Sequence, residues 1–443
     1  MASRRAPGWP AAVPLALCLI LAGCTTSAPV HRARSNVPTA APGSAAPSPD
    51  SSGSTAPSTA ASALPVGFAY QQFTRSLGPG APVRLTVLSV APDAGVRVIG
   101  VHGSSMTKAE TVRSLARRAG ALAAINGTYF DIRTGHHHSG YEGDPIGLYA
   151  EKGTVLSEAL DGRPALLLGY AGGRLRTRVA EVSTVGRLRA ADGALRELDG
   201  VGRLPGRILG CGGVGGDRLV TTGRFQAGPH DGLCIDADEV VSFGPQWGGD
   251  TPPGGPGSVE ALLSAEGEVL ALRTPAGGPL SRGGSSLYGI GSGAAWLRAH
   301  AVPGTRPVVS ERITDPAGRA LLTPVETAVG GSARLLRDGV PDPDATRFLG
   351  PGRAARTVAA VRADGTLLLI AVDGRSRGHS VGATPAETAA LVRSLGAVDA
   401  VNLDGGGSST VVFRNRLRNS PREAADGVVR ERPVADAIAI LPE

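Results

Sequence analysis

The segment Asp399-Ala-Val-Asn-Leu-Asp-Gly-Gly-Gly-Ser-Ser-Thr-Val-Val412 decides how the rest of the chain is read. Ala400, Val401 and Leu403 predict a short buried strand, and residues 411–413 predict a second one. Between the two strands stand three consecutive glycines, each of which loses much conformational freedom on folding. Such a run indicates a turn that needs positive φ angles or a backbone that lies close to a ligand.

The polar residues of this turn suggest chemistry. Asp404 supplies a carboxylate and Asn402 an amide. Successive backbone N–H groups in such a turn can form a nest that binds anions. A carboxylate beside a phosphate-sized nest is what hydrolysis of a sugar phosphate requires, and the same pattern also fits a tight hairpin capped by an Asx-type hydrogen bond. The residues that would offer N–H or hydroxyl donors are Gly405, Gly406, Gly407, Ser408 and Ser409.

The composition favours short strands and many turns. The chain has 443 residues, of which 64 are glycine and 34 are proline. The formal charge of +7 comes mostly from arginine, because Lys108 and Lys152 are the two lysines in the chain. Dispersed arginines without interleaved aromatic residues argue against nucleic-acid binding.

The N-terminus has the pattern of an export signal. Arg4 and Arg5 precede an apolar stretch at residues 11–21, which is short for a membrane span. Leu21-Ala-Gly-Cys24 matches the bacterial lipobox, so residues 1–23 are predicted to be removed and Cys24 to carry a lipid. The anchor would hold the protein on the outer face of the cell membrane. An ordinary secretory signal with an incidental cysteine is the alternative.

A tether is predicted after the anchor. Residues 24–64 are rich in Ala, Pro, Ser and Thr and nearly lack large apolar side chains, so they cannot bury a core. As a random coil this stretch reaches about 30 Å. Residues 65–443 then form the predicted folded domain, with a Gly- and Pro-rich variable middle at about 187–309.

Two cysteines remain in the predicted folded part. Cys211 and Cys234 are candidates for a disulfide, since an exported chain meets oxidising conditions. Neither belongs to a CxxC pair, which argues against zinc.

Two helices have clear start signals. For residues 107–119 we predict Thr107 as the N-cap with Glu110 completing a capping box. The second helix begins with Thr384, Pro385 and Glu387 and leads directly into the strand before Asp404. Strands are predicted at residues 68–75, 83–90, 95–101, 121–125, 356–361, 367–373 and 433–441.

A second polar turn follows the strand at residues 121–125. It contains Asn126 and Asp131 and has the same layout as the turn around Asn402 and Asp404. The histidines at 136–138 come next, and they fit either a glycine-flanked loop or a metal site.

Residues 356–441 resemble the C-terminal part of the phosphodiester glycosidase family. The residues that carry the resemblance include Val372-Asp-Gly-Arg375, the helix at Thr384 and the run Val401-Asn-Leu-Asp-Gly-Gly-Gly-Ser-Ser409. Upstream, Ala124-Ile-Asn-Gly-Thr-Tyr-Phe130 is similar to the family's first polar turn. Thr128 and Tyr129 stand where the family pattern has a glycine and a phenylalanine-like residue.

The resemblance implies a fold and an activity. The fold is α+β, with a mixed, largely antiparallel central sheet, a few flanking helices and one catalytic domain. The reaction is hydrolysis of a glycosyl phosphodiester at the sugar–oxygen bond. Asp404 would be the main catalytic carboxylate, with Asp373 or Asp131 as the second.

The remaining site residues follow from the same resemblance. Arg375 and Arg356 would clamp the phosphate, because a guanidinium matches its geometry. Asn126 and Asn402 would hold sugar hydroxyls or orient Asp404. The sequence requires no cofactor and is compatible with a divalent cation in the acidic cluster.

Three functions fit these observations. The first is an extracytoplasmic, lipid-anchored hydrolase of glycosyl-1-phosphodiesters in envelope polymers or exported glycans. The second is a non-catalytic lipoprotein that binds wall glycans. The third is an exopolysaccharide-processing role in which an acceptor sugar replaces water.

Overall fold

Antiparallel strand pairing organises the molecule. In the computed structural model, the described residues are 63–131, 143–160, 162–209, 218–219, 233–321 and 324–443. Among their strands, all pairings are antiparallel except that of residues 200–201 with 241–242. The predicted α+β class with a largely antiparallel sheet is confirmed.

Four short helices interrupt the strands in the described residues. They are α1 (Val112–Ala119), α2 (Gly291–His300), α3 (Ala345–Leu349) and α4 (Pro385–Ser394), and a single 3₁₀ turn spans Gly406–Ser408. No helix in the described part of the chain has both the length and the apolar character needed to cross a membrane.

The first half of the described chain contains sixteen strands. In chain order they are β1 (Phe68–Ser76), β2 (Pro82–Val90), β3 (Val96–His102), β4 (Glu110–Thr111), β5 (Ala123–Asn126), β6 (Tyr129–Phe130), β7 (Pro145–Ile146), β8 (Tyr149–Glu151), β9 (Thr154–Ser157), β10 (Arg163–Ala171), β11 (Arg174–Arg189), β12 (Leu195–Leu198), β13 (Gly200–Val201), β14 (Ile208–Leu209), β15 (Arg218–Leu219) and β16 (Leu233–Ile235).

The second half adds the strands that carry the C-terminal motif. They are β17 (Val240–Phe243), β18 (Asp250–Thr251), β19 (Val259–Leu263), β20 (Val269–Arg273), β21 (Gly278–Pro279), β22 (Ser285–Gly289), β23 (Val308–Thr314), β24 (Thr327–Gly330), β25 (Ala333–Arg337), β26 (Val340–Pro341), β27 (Arg356–Arg362), β28 (Leu367–Val372), β29 (Ala397–Leu403), β30 (Val411–Phe413), β31 (Arg416–Leu417), β32 (Pro433–Val434) and β33 (Asp436–Pro442).

A seven-stranded sheet lies at the centre, with the strand order β1-β2-β28-β27-β29-β25-β26. Strand β28 is buried along its whole length, as expected for a strand covered on both faces. Leu369 and its same-face neighbours pack into one core, while Leu368 and Ile370 face another. The two-residue period of a strand therefore assigns each side chain to a core.

The two cores join the central sheet to its neighbours. One core includes Ile125 and Ile438 from the sheet β3-β33-β5-β30-β31, together with Leu166 from the sheet β12-β11-β10-β24-β8-β9. The other core is covered by α4 through Leu391 and Val392. A further five-stranded sheet, β13-β17-β22-β19-β20, comes from the Gly- and Pro-rich middle.

The start of α4 agrees with the sequence. The Thr384 hydroxyl accepts from the Glu387 N–H at 3.2 Å, and the Glu387 carboxylate accepts from the Thr384 N–H at 2.9 Å. Pro385 occupies the first turn, where its missing N–H costs no hydrogen bond.

The predicted start of α1 was wrong. The helix begins at Val112 with Thr111 as its N-cap, and the Thr111 hydroxyl accepts from the Ser114 N–H at 3.2 Å. Glu110 cannot complete a capping box at Thr107, since Glu110 and Thr111 pair with Pro433 and Val434 as a small strand ladder. Long-range pairing thus overrides the local helix signal.

Several predicted features fall outside the described residues. These are the signal segment, Cys24 and the tether up to residue 62, and also the histidines at 136–138. Cys234 is buried and disulfide-bonded. Cys211 is not among the described residues, so its pairing with Cys234 stays a prediction.

Candidate active site

The ends of three adjacent strands lie side by side in the central sheet. Strand β27 runs antiparallel to both of its neighbours, so its first residue, Arg356, lies beside the ends of β28 and β29. Asp373 follows β28 and Asp404 follows β29. Neighbouring strands stand about 4.8 Å apart, which puts the backbones of these two aspartates on the order of 10 Å from each other.

The glycine-rich bend crosses from the central sheet to a second sheet. It leaves β29 at Asp404 and enters β30, which pairs with β5. Asn126, at the end of β5, donates its amide to the Asp404 carbonyl at 2.7 Å. Its side-chain oxygen accepts from the Thr357 hydroxyl at 3.0 Å and from the Thr410 N–H at 3.1 Å. Through these bonds, Asn126 holds the bend in place and orients Asp404.

At two of the three positions, the geometry of the bend requires glycine. Gly406 has a φ of 61°, in the left-handed region that L side chains rarely adopt. A Cβ on Gly407 would stand 2.7 Å from Oε2 of Glu423 and 2.8 Å from Nη2 of Arg432. The bend therefore lies directly against a charged pair.

The Asp404 carboxyl is buried, with 8% of the residue exposed. Burial raises its pKa from 3.8 to about 7, and the nearby Asp436 carboxylate adds to the rise. A hydrogen bond with the Ser408 hydroxyl and the charge of Arg432 hold the pKa down in part. A carboxyl that titrates near neutral pH is suited to take or give a proton during a reaction.

Asp436 supports the turn that holds Asp404. The Thr128 N–H donates to the Asp436 carboxylate at 3.0 Å, and the Thr128 hydroxyl donates to it as well. Gly127 accepts the Asp404 N–H at 3.1 Å through its carbonyl. Burial raises the pKa of Asp436 to about 6.

Arg432 is a site residue that the sequence did not identify. Its Nη1 stands 3.3 Å from the Ser408 hydroxyl, and its Nε donates to the Glu423 carboxylate at 2.6 Å. Nothing in the local sequence indicated that this guanidinium reaches the glycine bend.

Hydroxyl groups form another side of the site. The Asn402 amide donates to the Tyr129 hydroxyl at 2.8 Å, and that hydroxyl lies 3.0 Å from the Ser332 hydroxyl. Burial, followed by the charge of Asp404, raises the pKa of Tyr129, so the phenol stays protonated at neutral pH. The Asn402 side-chain oxygen has no hydrogen-bond partner among the described residues. Tyr129 and Ser332 were not predicted as site residues.

Asp373 is tied to the same bend from the other side. One of its carboxylate oxygens accepts from the Asn419 amide and from the Ser420 N–H, both at 3.0 Å. Asn419 also donates to the Ser409 carbonyl at 2.7 Å. The second Asp373 oxygen stands 3.7 Å from Nε2 of His379. These contacts position the bend, and Asp373 is 2% exposed.

Asp131 lies in a different acidic group. Its N–H donates to the Asp144 carbonyl at 3.0 Å. Burial, and next the charge of Asp131, raises the pKa of Asp144 well above its usual range. The carboxylate whose charge raises the pKa of Asp404 is Asp436, which the sequence did not single out.

The two predicted arginines are both held by backbone carbonyls. Arg356 donates to the Ala383 carbonyl at 3.2 Å and to the Gly352 carbonyl at 3.1 Å, and burial lowers its pKa. Arg375 donates to the carbonyls of Arg422 and Glu423 at 2.8 and 2.6 Å. Its Nη2 stands 3.0 Å from where a Cβ of Gly406 would be. Within the described residues, neither guanidinium is in an ion pair with a carboxylate.

A large cavity lies elsewhere in the molecule. It has a volume of about 420 Å³ and is lined by Met106, Phe243, Trp247 and Glu311, among others. No residue of the Asp404 group lines it. We place the candidate site at Asp404, since a buried carboxyl with a raised pKa, a glycine bend and the guanidinium of Arg432 come together there.

Across the ranges that the structure describes, no three His, Cys, Asp or Glu side chains are grouped so as to hold a metal ion.

Comparison with known proteins identifies the family of the chain. The sequence profile of the phosphodiester glycosidase family matches residues 260–441, which include Asp373, Asp404 and Arg432. A crystal structure of a Burkholderia pseudomallei protein, inferred to be exported, superposes with a TM-score of 0.69 at 30% identity. That alignment covers 82% of this chain and 74% of the other.

Two further matches have lower sequence identity or cover less of the proteins compared. A hypothetical protein from Synechocystis shares the fold, with a TM-score of 0.62 at 20% identity over 84% of this chain and 62% of its own. The SPbeta prophage-derived protein YomE of Bacillus subtilis is 42% identical over 79 residues. That match spans 18% of this chain and 11% of the length of YomE.

Proposed function

We propose, since this chain belongs to the phosphodiester glycosidase family, that it hydrolyses glycosyl-1-phosphodiesters outside the cytoplasm. The bond cleaved is the one between the sugar carbon and the phosphate oxygen. The substrates are envelope polymers or exported glycans that contain this linkage.

One observation carries the proposal: the Asp404 carboxyl, with a pKa of about 7, is placed between a glycine bend and an arginine. In its ionised form this group accepts a proton from water as the water oxygen attacks the sugar carbon. The bond to the phosphate oxygen breaks, and its electron pair leaves with the phosphate monoester. Because phosphate is a good leaving group, charge stabilisation matters more than protonation.

The charge on the departing phosphate is met by guanidinium groups. Arg432 and Arg375 lie against Gly407 and Gly406, and Arg356 lies near Tyr129. Fixed donors of this kind stabilise charge that develops in a transition state. The hydroxyls of Tyr129 and Ser332 and the amide of Asn402 are the groups that would meet the sugar.

The remaining assignments concern the residues that position the bend and the segments that determine cellular location. Asn126 and Asp373 hold the bend in place through its backbone and through Asn419. Residues 1–23 direct export and Cys24 carries the lipid, with residues 24–64 as a tether to the catalytic domain at 65–443. The inferred export of the B. pseudomallei relative supports this address.

The test is release of free sugar from a synthetic glycosyl-1-phosphodiester by the protein without its signal and tether. We expect turnover by the wild type and its loss, by about a hundredfold or more, in Asp404→Asn. Asp399→Asn is the matched control, because Asp399 lies on the same strand but pairs with Arg334 at 2.8 Å.

The outcomes separate the rival functions. Full activity in Asp404→Asn would contradict the role of this carboxylate. Binding of the diester by the wild type without any turnover would favour a glycan-binding protein. A glycoside product that forms only when an acceptor alcohol is added would favour transfer over hydrolysis.

A further inference from the structure

The guanidinium of Arg432 already holds an anion. Its Nε donates to Oε1 of Glu423 at 2.6 Å, and its Nη2 pairs with Oε2. This two-pronged contact is the geometry with which arginine binds carboxylates and phosphates alike. The third nitrogen, Nη1, contacts Ser408, whose hydroxyl is hydrogen-bonded to Asp404.

The Glu423 carboxylate also lies directly against Gly407 of the glycine bend. A side chain at Gly407 would collide with the Glu423 carboxylate, which stands 2.7 Å from the Cβ position. Arg375 donates to the Glu423 carbonyl, and its charge helps to lower the pKa of Glu423, after the hydrogen bond from Arg432. The carboxylate thus stands among the groups that suit a phosphate: a glycine backbone and two guanidinium charges.

The pair is built so that Glu423 can leave. The Glu423 side chain is 48% exposed, whereas that of Arg432 is 23% exposed. If the Glu423 side chain rotates away from Arg432, its carboxylate moves into solvent and is not left buried without a partner. A half-exposed ion pair is also weak enough for a better ligand to displace it.

We propose that Glu423 is a built-in competitor that occupies the phosphate position on Arg432 until a substrate anion displaces it. The identity of the anion rests on the function proposed above. The competitor sets a threshold, because a weakly bound anion cannot displace Glu423, whereas a phosphodiester that also fills the sugar side of the site can.

Inorganic phosphate tests this without any turnover. Its affinity is measured by isothermal titration calorimetry at neutral pH for the wild type, Glu423→Gln and Arg432→Gln. Glu268→Gln is the control, because the Glu268 side chain is 39% exposed and pairs with Arg306 at 3.2 Å, in the turn before β20 of another sheet. Circular dichroism and thermal unfolding verify that each variant is folded.

We expect Glu423→Gln to bind phosphate about fivefold more tightly than the wild type, the size expected for release of an arginine from a half-exposed ion pair. Glu268→Gln should match the wild type, which excludes an effect of net charge alone. Arg432→Gln should bind at least about tenfold more weakly, since it loses the bidentate donor.

Equal or weaker phosphate binding by a folded Glu423→Gln overturns the proposal. So does the absence of phosphate binding in all variants, even if the wild type releases sugar. If Glu423→Gln binds phosphate more tightly but the protein releases no sugar from any diester, the proposed hydrolysis is wrong and the competitor role of Glu423 is supported.

Discussion

At the scale of single residues, the sequence indicated Asp404 as the candidate carboxylate but identified few of the groups that surround it in the fold. Asp404 and Asn126 could be predicted, because each directly follows a short apolar strand and precedes glycine. Arg432 and Tyr129 could not, since neither adjoins Asp404 in the sequence and the fold alone brings them near it. Burial, which gives Asp404 its unusual pKa, is likewise a property of the fold.

The shifted pKa of Asp404 has a cost in stability. A carboxyl whose pKa rises from 3.8 to about 7 binds its proton more tightly in the folded than in the unfolded state. The folded protein therefore has this contribution in full below pH about 4 and loses it as the pH rises through about 7.

Asp404→Asn should therefore stabilise the protein at neutral pH, by on the order of 2–4 kcal/mol. The advantage should shrink towards zero below about pH 3, where the wild-type carboxyl is protonated in both states. Urea unfolding at the two pH values measures it. An Asn variant that is less stable than the wild type at neutral pH would show that Asp404 is held mainly by favourable charge contacts.

At the scale of elements, the presence of strands and helices followed from local patterns, whereas some of their ends depended on distant partners. The capping box of α4 is entirely local, so residues 384–387 revealed it. The start of α1 moved from Thr107 to Thr111, because β4 pairs with β32, more than three hundred residues away in the chain. A pairing of that range leaves no trace in a short window of sequence.

Helix α4 gives a test at this scale. Thr384→Ala removes the side-chain half of the capping box and should lower the free energy of unfolding by about 1 kcal/mol. Ser394→Ala at the other end of the helix is the control, because its hydroxyl donates to the Leu391 carbonyl and caps no free N–H group. Thermal unfolding of both variants measures the difference; equal melting temperatures would mean that packing alone holds this helix end.

At the scale of the whole molecule, the fold class was predictable and the arrangement of sheets was not. Glycine- and proline-rich composition with short apolar runs indicated many strands, and the family resemblance indicated antiparallel pairing. The order β1-β2-β28-β27-β29-β25-β26 joins strands from both ends of the chain. Strand order of this kind depends on which apolar faces fit together, and that information is spread over the entire sequence.

The anchor is a prediction for the whole protein in its cell. In a bacterial host that processes lipoproteins, the wild type should fractionate with the membrane, and Cys24→Ala should lose that attachment. Metabolic labelling with a clickable fatty acid, read together with fractionation, tests it. A wild type without label would indicate an ordinary secretory signal.

The glycine bend joins two sheets that pack through a shared core. Asp404 belongs to the end of one sheet, and Thr410 leads into the other. Any slip of one sheet against the other would therefore strain or loosen the short connection that holds Asp404. Under the proposed function, apolar substitutions at Ile125 or Val401 in that core would therefore lower the rate of hydrolysis by changing the alignment of Asp404 with its neighbours.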